Sequence, residues 1–213
     1  MKRNFTSIRY SKDNLDYYGF KRSIKHQRVS IDETKGSLLA SSIKVNKGLF
    51  PVLHQSIEKV SQKLSLQQQF ETYIVNDQNH QAYCLSNDSE QDFIIVISAG
   101  LINYLNNEEL EFVIGHEIGH HIFAHYEYPS HSDEGSLATN LAVLQLNRAA
   151  EISVDRIGFL SCQSLEVCLR AVIKSFTGLE SQYINFDFST FINQAKELEK
   201  VQGHKNQIYS SHP

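Results

Sequence analysis

Apolar residues recur along this chain in two rhythms. In LFPVLHQSIEKVSQKLSL (49–66), Val52, Leu53, Ile57, Val60 and Leu64 share one face at helical spacing, and Pro51 stands near the start, where a missing N–H costs little. The rhythm then shortens. FETYIV (70–75), QAYCL (81–85) and DFIIVIS (92–98) are strand-like runs punctuated by Asn76–Asp77 and Asn87–Asp88, and SSIKVNK (41–47) alternates like a further strand. From residue 99 helical spacing returns. It predicts a short helix over 99–105, then a longer one to about residue 126 with Asn106 as N-cap and Glu109 as its capping-box partner. A polar loop over 128–136 precedes a long helix over 137–161, another over 164–176 stopped by Gly178, and a last one over 189–201. One block of strands followed by helices argues an α+β fold in a single domain.

Composition narrows the picture. With 213 residues, 41% hydrophobic and 21% charged, the chain has the balance of a globular protein. Its longest apolar run, Phe93 to Ile97, has strand length and falls far short of the roughly 18 residues a membrane span needs. The basic first residues lead into no apolar stretch, so no secretory signal is expected and the expected location is cytoplasmic. Cys84, Cys162 and Cys168 form no CxxC pair and cannot all pair with one another, which favours free thiols.

Charge is uneven. Residues 1–50 carry eleven Lys/Arg against four Asp/Glu, whereas residues 51–213 carry nine against twenty. A basic segment can meet nucleic acid or an anionic membrane surface. This one also holds Tyr10, Tyr17, Tyr18, Phe20 and Ile24, which read as packing residues, and it has no nucleic-acid motif. The expected organisation is therefore a basic arm or pro-segment-like region over 1–40 and one domain over 41–213. Docking of the arm on the acidic remainder is favoured, peripheral membrane contact is the alternative, and no nucleic-acid partner is expected.

The chemistry concentrates in GHEIGHHIFAH (115–125). His116 and His120 are one helical turn apart on one face, about 6 Å between Cβ atoms, so their imidazoles can share one zinc ion at about 2.0–2.1 Å. Glu117 projects beside such an ion and suits a general base for a metal-activated water. Gly115 and Gly119 each cost about 1 kcal/mol relative to Ala in a helix interior, which argues that something approaches closely there. The rival reading is a helix with surface histidines. A third ligand is needed, with a fourth position open. In NRAAEISVDRIG (147–158), Glu151 and Asp155 share a helix face among Ala150, Ile152, Val154 and Ile157, and carboxylates in apolar surroundings call for a cation. Glu151 is the expected third ligand, and Asp155 is expected to hold a ligand imidazole through its other ring N–H. The rival is an exposed stripe paired with Arg148 and Arg156. His121 and His125 read as packing or loop-anchoring residues. The apolar strand ahead of the helix, including Ile95, Val96, Ile97 and Ser98, is the expected edge along which a peptide lies antiparallel.

Taken in order, NEELEFVIGHEIGHHIFAH and NRAAEISVDRIG resemble the gluzincin metallopeptidase family that holds the heat-shock protease HtpX, the CAAX-prenyl endopeptidases and the small minigluzincins. His116, Glu117, His120, Glu151 and Asp155 match its pattern residue by residue. NHQAYCL (79–85) and DFIIVISAGLINYL (92–105) resemble its "NAF" strand and edge strand, and the likeness runs over about residues 45–213. The resemblance implies a zincin-like core, a small and mostly antiparallel sheet packed on the active-site helix, and zinc-dependent hydrolysis of peptide bonds in peptide or protein substrates. The final SSHP resembles the family's "THP" element and makes His212 a candidate oxyanion donor. Asn147 and Ser153–Val154 depart from the family pattern, so substrate choice is not inherited. The competing function class is a latent zinc-binding interaction or chaperone-like module; a non-metal helical protein is a third.

Overall fold

The strand-like segments assemble into one sheet whose order differs from their order in the chain. The structure is a computed structural model that describes residues 31–86, 92–128 and 137–202. Strands β1 (Ile43–Lys44), β2 (Phe70–Val75), β3 (Ala82–Leu85) and β4 (Phe93–Ser98) lie in the order β1–β2–β4–β3. Phe70 sits opposite Phe93 in the parallel β2–β4 pair, and Ala82 opposite Ile97 in the antiparallel β3–β4 pair; β1 runs antiparallel to β2. The sheet is therefore mixed, with one parallel pairing among three.

This order overturns one expectation. β4 is an inner strand, with both edges paired, and all six of its residues are buried. Ile95, Val96, Ile97 and Ser98 cannot receive a substrate strand. A run that reads as an apolar edge is instead a strand covered on both faces, which is why it lacks alternation. Ser98 has a local task. Its hydroxyl accepts from the Gln81 and Leu101 amides and donates to the Asn79 carbonyl, capping the following helix and tying β3's approach to β4.

One face of the sheet, through Phe93, Ile95 and Ile97, packs with Leu53 and Val60 of helix α2 (Pro51–Lys63) and with Leu110, Ile114 and Ile118 of helix α4 (Asn107–Ile122). On the other face Tyr73, Ile94 and Val96 meet Ile31 and Leu38 of helix α1 (Ile31–Ser41). Residues 31–40, expected within the arm, thus lie in a helix that packs on the sheet, and residues 1–30 lie outside the described residues. Helix α3 (Ala99–Tyr104) links β4 to α4. Helices α5 (Leu137–Cys162), α6 (Leu165–Thr177) and α7 (Phe188–Gln202) complete the described chain. No helix among the described residues is long and apolar enough to cross a membrane.

Two features fix α4. The expected capping box forms, with Asn106 accepting from the Glu109 amide and Glu109 accepting from the Asn106 amide. Glu109 is fully buried and its carboxylate also meets the buried Lys174 ammonium at 2.8 Å, joining α4 to α6. Glycines then let α4 and α5 close on each other. A Cβ on Gly119 would fall 3.0 Å from the Val154 Cβ, one on Gly115 would overlap Ser161, and one on Gly158 would press on the Phe112 ring.

Candidate metal centre

The capping box sets the start of α4 and so the angular positions of His116, Glu117 and His120 about three to four turns later. The Gly119–Val154 contact brings α5 against that face, one turn from Glu151 and beside Asp155. Three potential ligand atoms, one each from His116, His120 and Glu151, lie within 4.8 Å of one another. His116 Nε2 is 3.3 Å from His120 Nε2 and 3.4 Å from Glu151 Oε2, and His120 Nε2 is 3.9 Å from Glu151 Oε1. Tetrahedral ligands at about 2.0–2.1 Å from a common centre stand roughly 3.3 Å apart. Two imidazoles and one carboxylate so spaced fit a zinc ion and leave a fourth direction free.

The far ring nitrogens are also engaged. His116 Nδ1 lies 2.9 Å from Asp155 Oδ1 and donates to it, so an ion that displaces the other ring proton would meet the Nε2 lone pair. His120 Nδ1 lies 3.1 Å from His125 Nδ1. With Nε2 turned toward the shared point, His120 donates from Nδ1 and His125 accepts. His125 therefore stands behind a candidate ligand, a place that its position five residues after His120 did not reveal. Ala124, in the left-handed region at φ 53°, ends the helix and turns His125 back. His121 does pack as expected: it stacks on Phe93 at 4.0 Å and contacts Ser86 and Gln68.

Electrostatics distinguish these groups. Burial opposes a charge on His116, but hydrogen bonds to Asp155 and Glu151 outweigh it and hold its pKa up to about 10. The two carboxylates thus create a point where positive charge is favoured, and a divalent cation meets the same demand with both imidazoles neutral. Burial, then the nearby His116 charge, lowers His120; burial, then His120, takes His125 down to about 4. Burial pushes Glu117 up to about 7, partly offset by the positive His116 and by a backbone hydrogen bond from Cys84 of β3.

A cleft opens beside these groups. It is lined by His116, Glu117, Glu151 and Asp155, by Leu101, Phe112 and Val113, by Val172, Ser175 and Phe176 of α6, and by His80 and Ala82 at the start of β3. His80, stacked on Tyr104 at 4.0 Å, was not singled out by any motif. β3 pairs only with β4 among the described residues, so its other edge flanks the cleft without a strand partner. His212 lies outside the described residues.

Residues 49–130 match peptidase family M48, a segment that contains His116, Glu117 and His120 and stops before Glu151. The chain is similar to the plastoglobule-localized metallopeptidase 48 of Arabidopsis thaliana, at 24% identity over 76% of this chain and 51% of the relative. It is also similar to a protease HtpX homolog of Pediococcus pentosaceus, 44% identical over 22% of this chain and 16% of that one. An HtpX homolog of Methanocaldococcus jannaschii is 36% identical over 33% and 24% of the two chains. The chain thus spans about half the length of the Arabidopsis relative and less of the others. No solved structure matches it significantly.

Proposed function

We propose that this chain, whose residues 49–130 are of peptidase family M48, is a zinc metalloendopeptidase with a zincin-like core. The observation that carries the reading is the convergence of His116, His120 and Glu151 on one point, with the Glu117 carboxylate on the next residue of the same helix. A purely structural zinc site takes four protein ligands and needs no base.

His116 and His120, through Nε2, and Glu151 would hold the ion. Zinc bound there supplies Lewis-acid polarisation of the scissile carbonyl and makes a water easier to deprotonate. Asp155 and His125 keep the two imidazoles in the tautomer that presents Nε2. Glu117 accepts a proton from the attacking water and later gives it to the leaving nitrogen. The substrate backbone lies along the open edge of β3 rather than along β4, pairing with Ala82–Leu85. A substrate side chain next to the scissile bond enters the cleft between Phe112, Val113, Val172 and Phe176, which favours an apolar residue there.

The test is cleavage of an unbiased peptide mixture by the zinc-loaded protein, by Glu117→Gln and by a chelated sample. Glu117→Gln is expected to lose about 10²- to 10⁴-fold in kcat/KM while binding one zinc per chain as the wild type does. Zinc binding without cleavage by the wild type would favour an interaction module, and no zinc binding would remove the ligand assignment.

A further inference from the structure

Cys162 and Cys168 take no part in this chemistry, and their separation by five residues gave no reason to pair them. The fold does. Cys162 is the last residue of α5 and Cys168 lies in the first turn of α6. The corner between the helices is tight: Gln163 adopts φ 57°, and the Ser164 hydroxyl accepts from the Val167 amide to cap α6. The turn brings the two sulfurs to 3.3 Å. Cys168 is buried, whereas Cys162 is partly exposed, so one sulfur of the pair is open to a small solute.

The environment supports reactivity at Cys162. The Cys168 thiol, donating to its sulfur, holds Cys162 well below the usual thiol range, at about 6, and the Lys63 ammonium, bound to the neighbouring Ser161 carbonyl, acts in the same direction. Cys168 is pushed up by the same contact and by burial. The contact thus favours loss of the Cys162 proton over that of Cys168. Cys84, on β3, is pushed up to about 12 by burial and lacks this arrangement.

We propose that Cys162 and Cys168 are a site of reversible oxidation by hydroperoxides, forming a disulfide that joins the end of α5 to the start of α6. The Cys162 thiolate attacks the terminal peroxide oxygen, the O–O bond breaks, and the alkoxide or hydroxide leaves with a proton from solvent. Cys162 is then a sulfenic acid. The Cys168 sulfur attacks the Cys162 sulfur, its proton goes to the departing hydroxyl, and water leaves as the S–S bond forms. Overall two thiols lose two electrons and two protons, and hydrogen peroxide is reduced to two waters. The bond would tie α5, which carries Glu151 and Asp155, to α6, which carries Val172 and Phe176 of the cleft wall.

The test needs neither metal nor substrate. The fully reduced protein is treated with hydrogen peroxide, its remaining thiols are alkylated, and the tryptic peptide spanning residues 157–170, which holds both cysteines, is weighed. The expected peptide lacks two hydrogens and takes no alkyl group, leaving one of the three cysteines, Cys84, alkylated. Dithiothreitol restores both thiols, and Cys168→Ser yields a sulfenic acid at Cys162 that dimedone traps. Alkylation of both residues after peroxide treatment would overturn the proposal. So would oxidation of either without linkage, or a bond between two chains.

Discussion

At the scale of single residues, the candidate centre is framed by ring nitrogens that face away from the point where His116, His120 and Glu151 converge. His116 is oriented by Asp155 and His120 by His125, each through Nδ1. The Asp155 role is legible in the sequence because Glu151 and Asp155 recur at helical spacing in an apolar stretch. The His125 role is not, because a continuous helix would carry that side chain about 140° past His120. Only the break at Ala124 turns it back. Loss of such a partner typically costs about 10- to 100-fold in metal affinity. His125→Ala is therefore expected to weaken zinc binding by about that factor, read by competition with a chromogenic chelator, with an unchanged circular dichroism spectrum and partial recovery in His125→Asn, which restores an acceptor. An affinity equal to wild type would reduce His125 to a packing residue.

At the scale of elements, the contact between α4 and α5 decides whether two half-sites become one. Each helix alone carries its ligands at the spacing the sequence shows. Their approach requires Gly115, Gly119 and Gly158, since a Cβ at any of them would come within 3.0 Å of the facing helix. Gly119→Ala separates the competing effects. Helix propensity predicts a gain of about 1 kcal/mol, while forcing a methyl group against Val154 costs about 1–3 kcal/mol and shifts Glu151 away from the histidines. A net loss in urea denaturation is expected, together with weaker zinc binding. Gly36→Ala in α1 is the control, because nothing lies within 4 Å of the added carbon and only the propensity gain remains. The cost of glycine in a helix signals a close approach from sequence alone; the identity of the approaching element does not follow from it.

At the scale of the whole molecule, the point on which His116, His120 and Glu151 converge lies between α4 and α5, so an ion held there would stabilise the folded chain. A ligand at about 100 times its dissociation constant adds about 2.7 kcal/mol when it binds only the folded state. Chelation of the zinc-loaded protein is accordingly expected to lower the midpoint of thermal unfolding. Glu151→Ala, with the ligand set incomplete, should melt at a temperature that zinc barely changes. A wild-type midpoint indifferent to zinc and chelator would separate this fold from metal binding.

The local pattern of the chain determined most of its elements. β2 spans residues 70–75 as read, the other two main strands differ by one residue at their starts, and the helices after residue 106 start close to where their caps stand. It also paired the candidate site residues, because two histidines or two carboxylates at i and i+4 share a helix face whatever surrounds them. Tertiary structure decided what depends on partners distant in sequence. It placed β4 inside the sheet and β3 at its edge, which apolar runs of similar length cannot distinguish. It brought α1 into the second core, where two apolar contacts, Ile31 and Leu38, outweigh a weak helical pattern. It set Cys162 against Cys168 by a corner in which Gln163 takes a left-handed conformation that no glycine announces. Periodicity reports which face of an element is apolar, and only packing reports what that face meets.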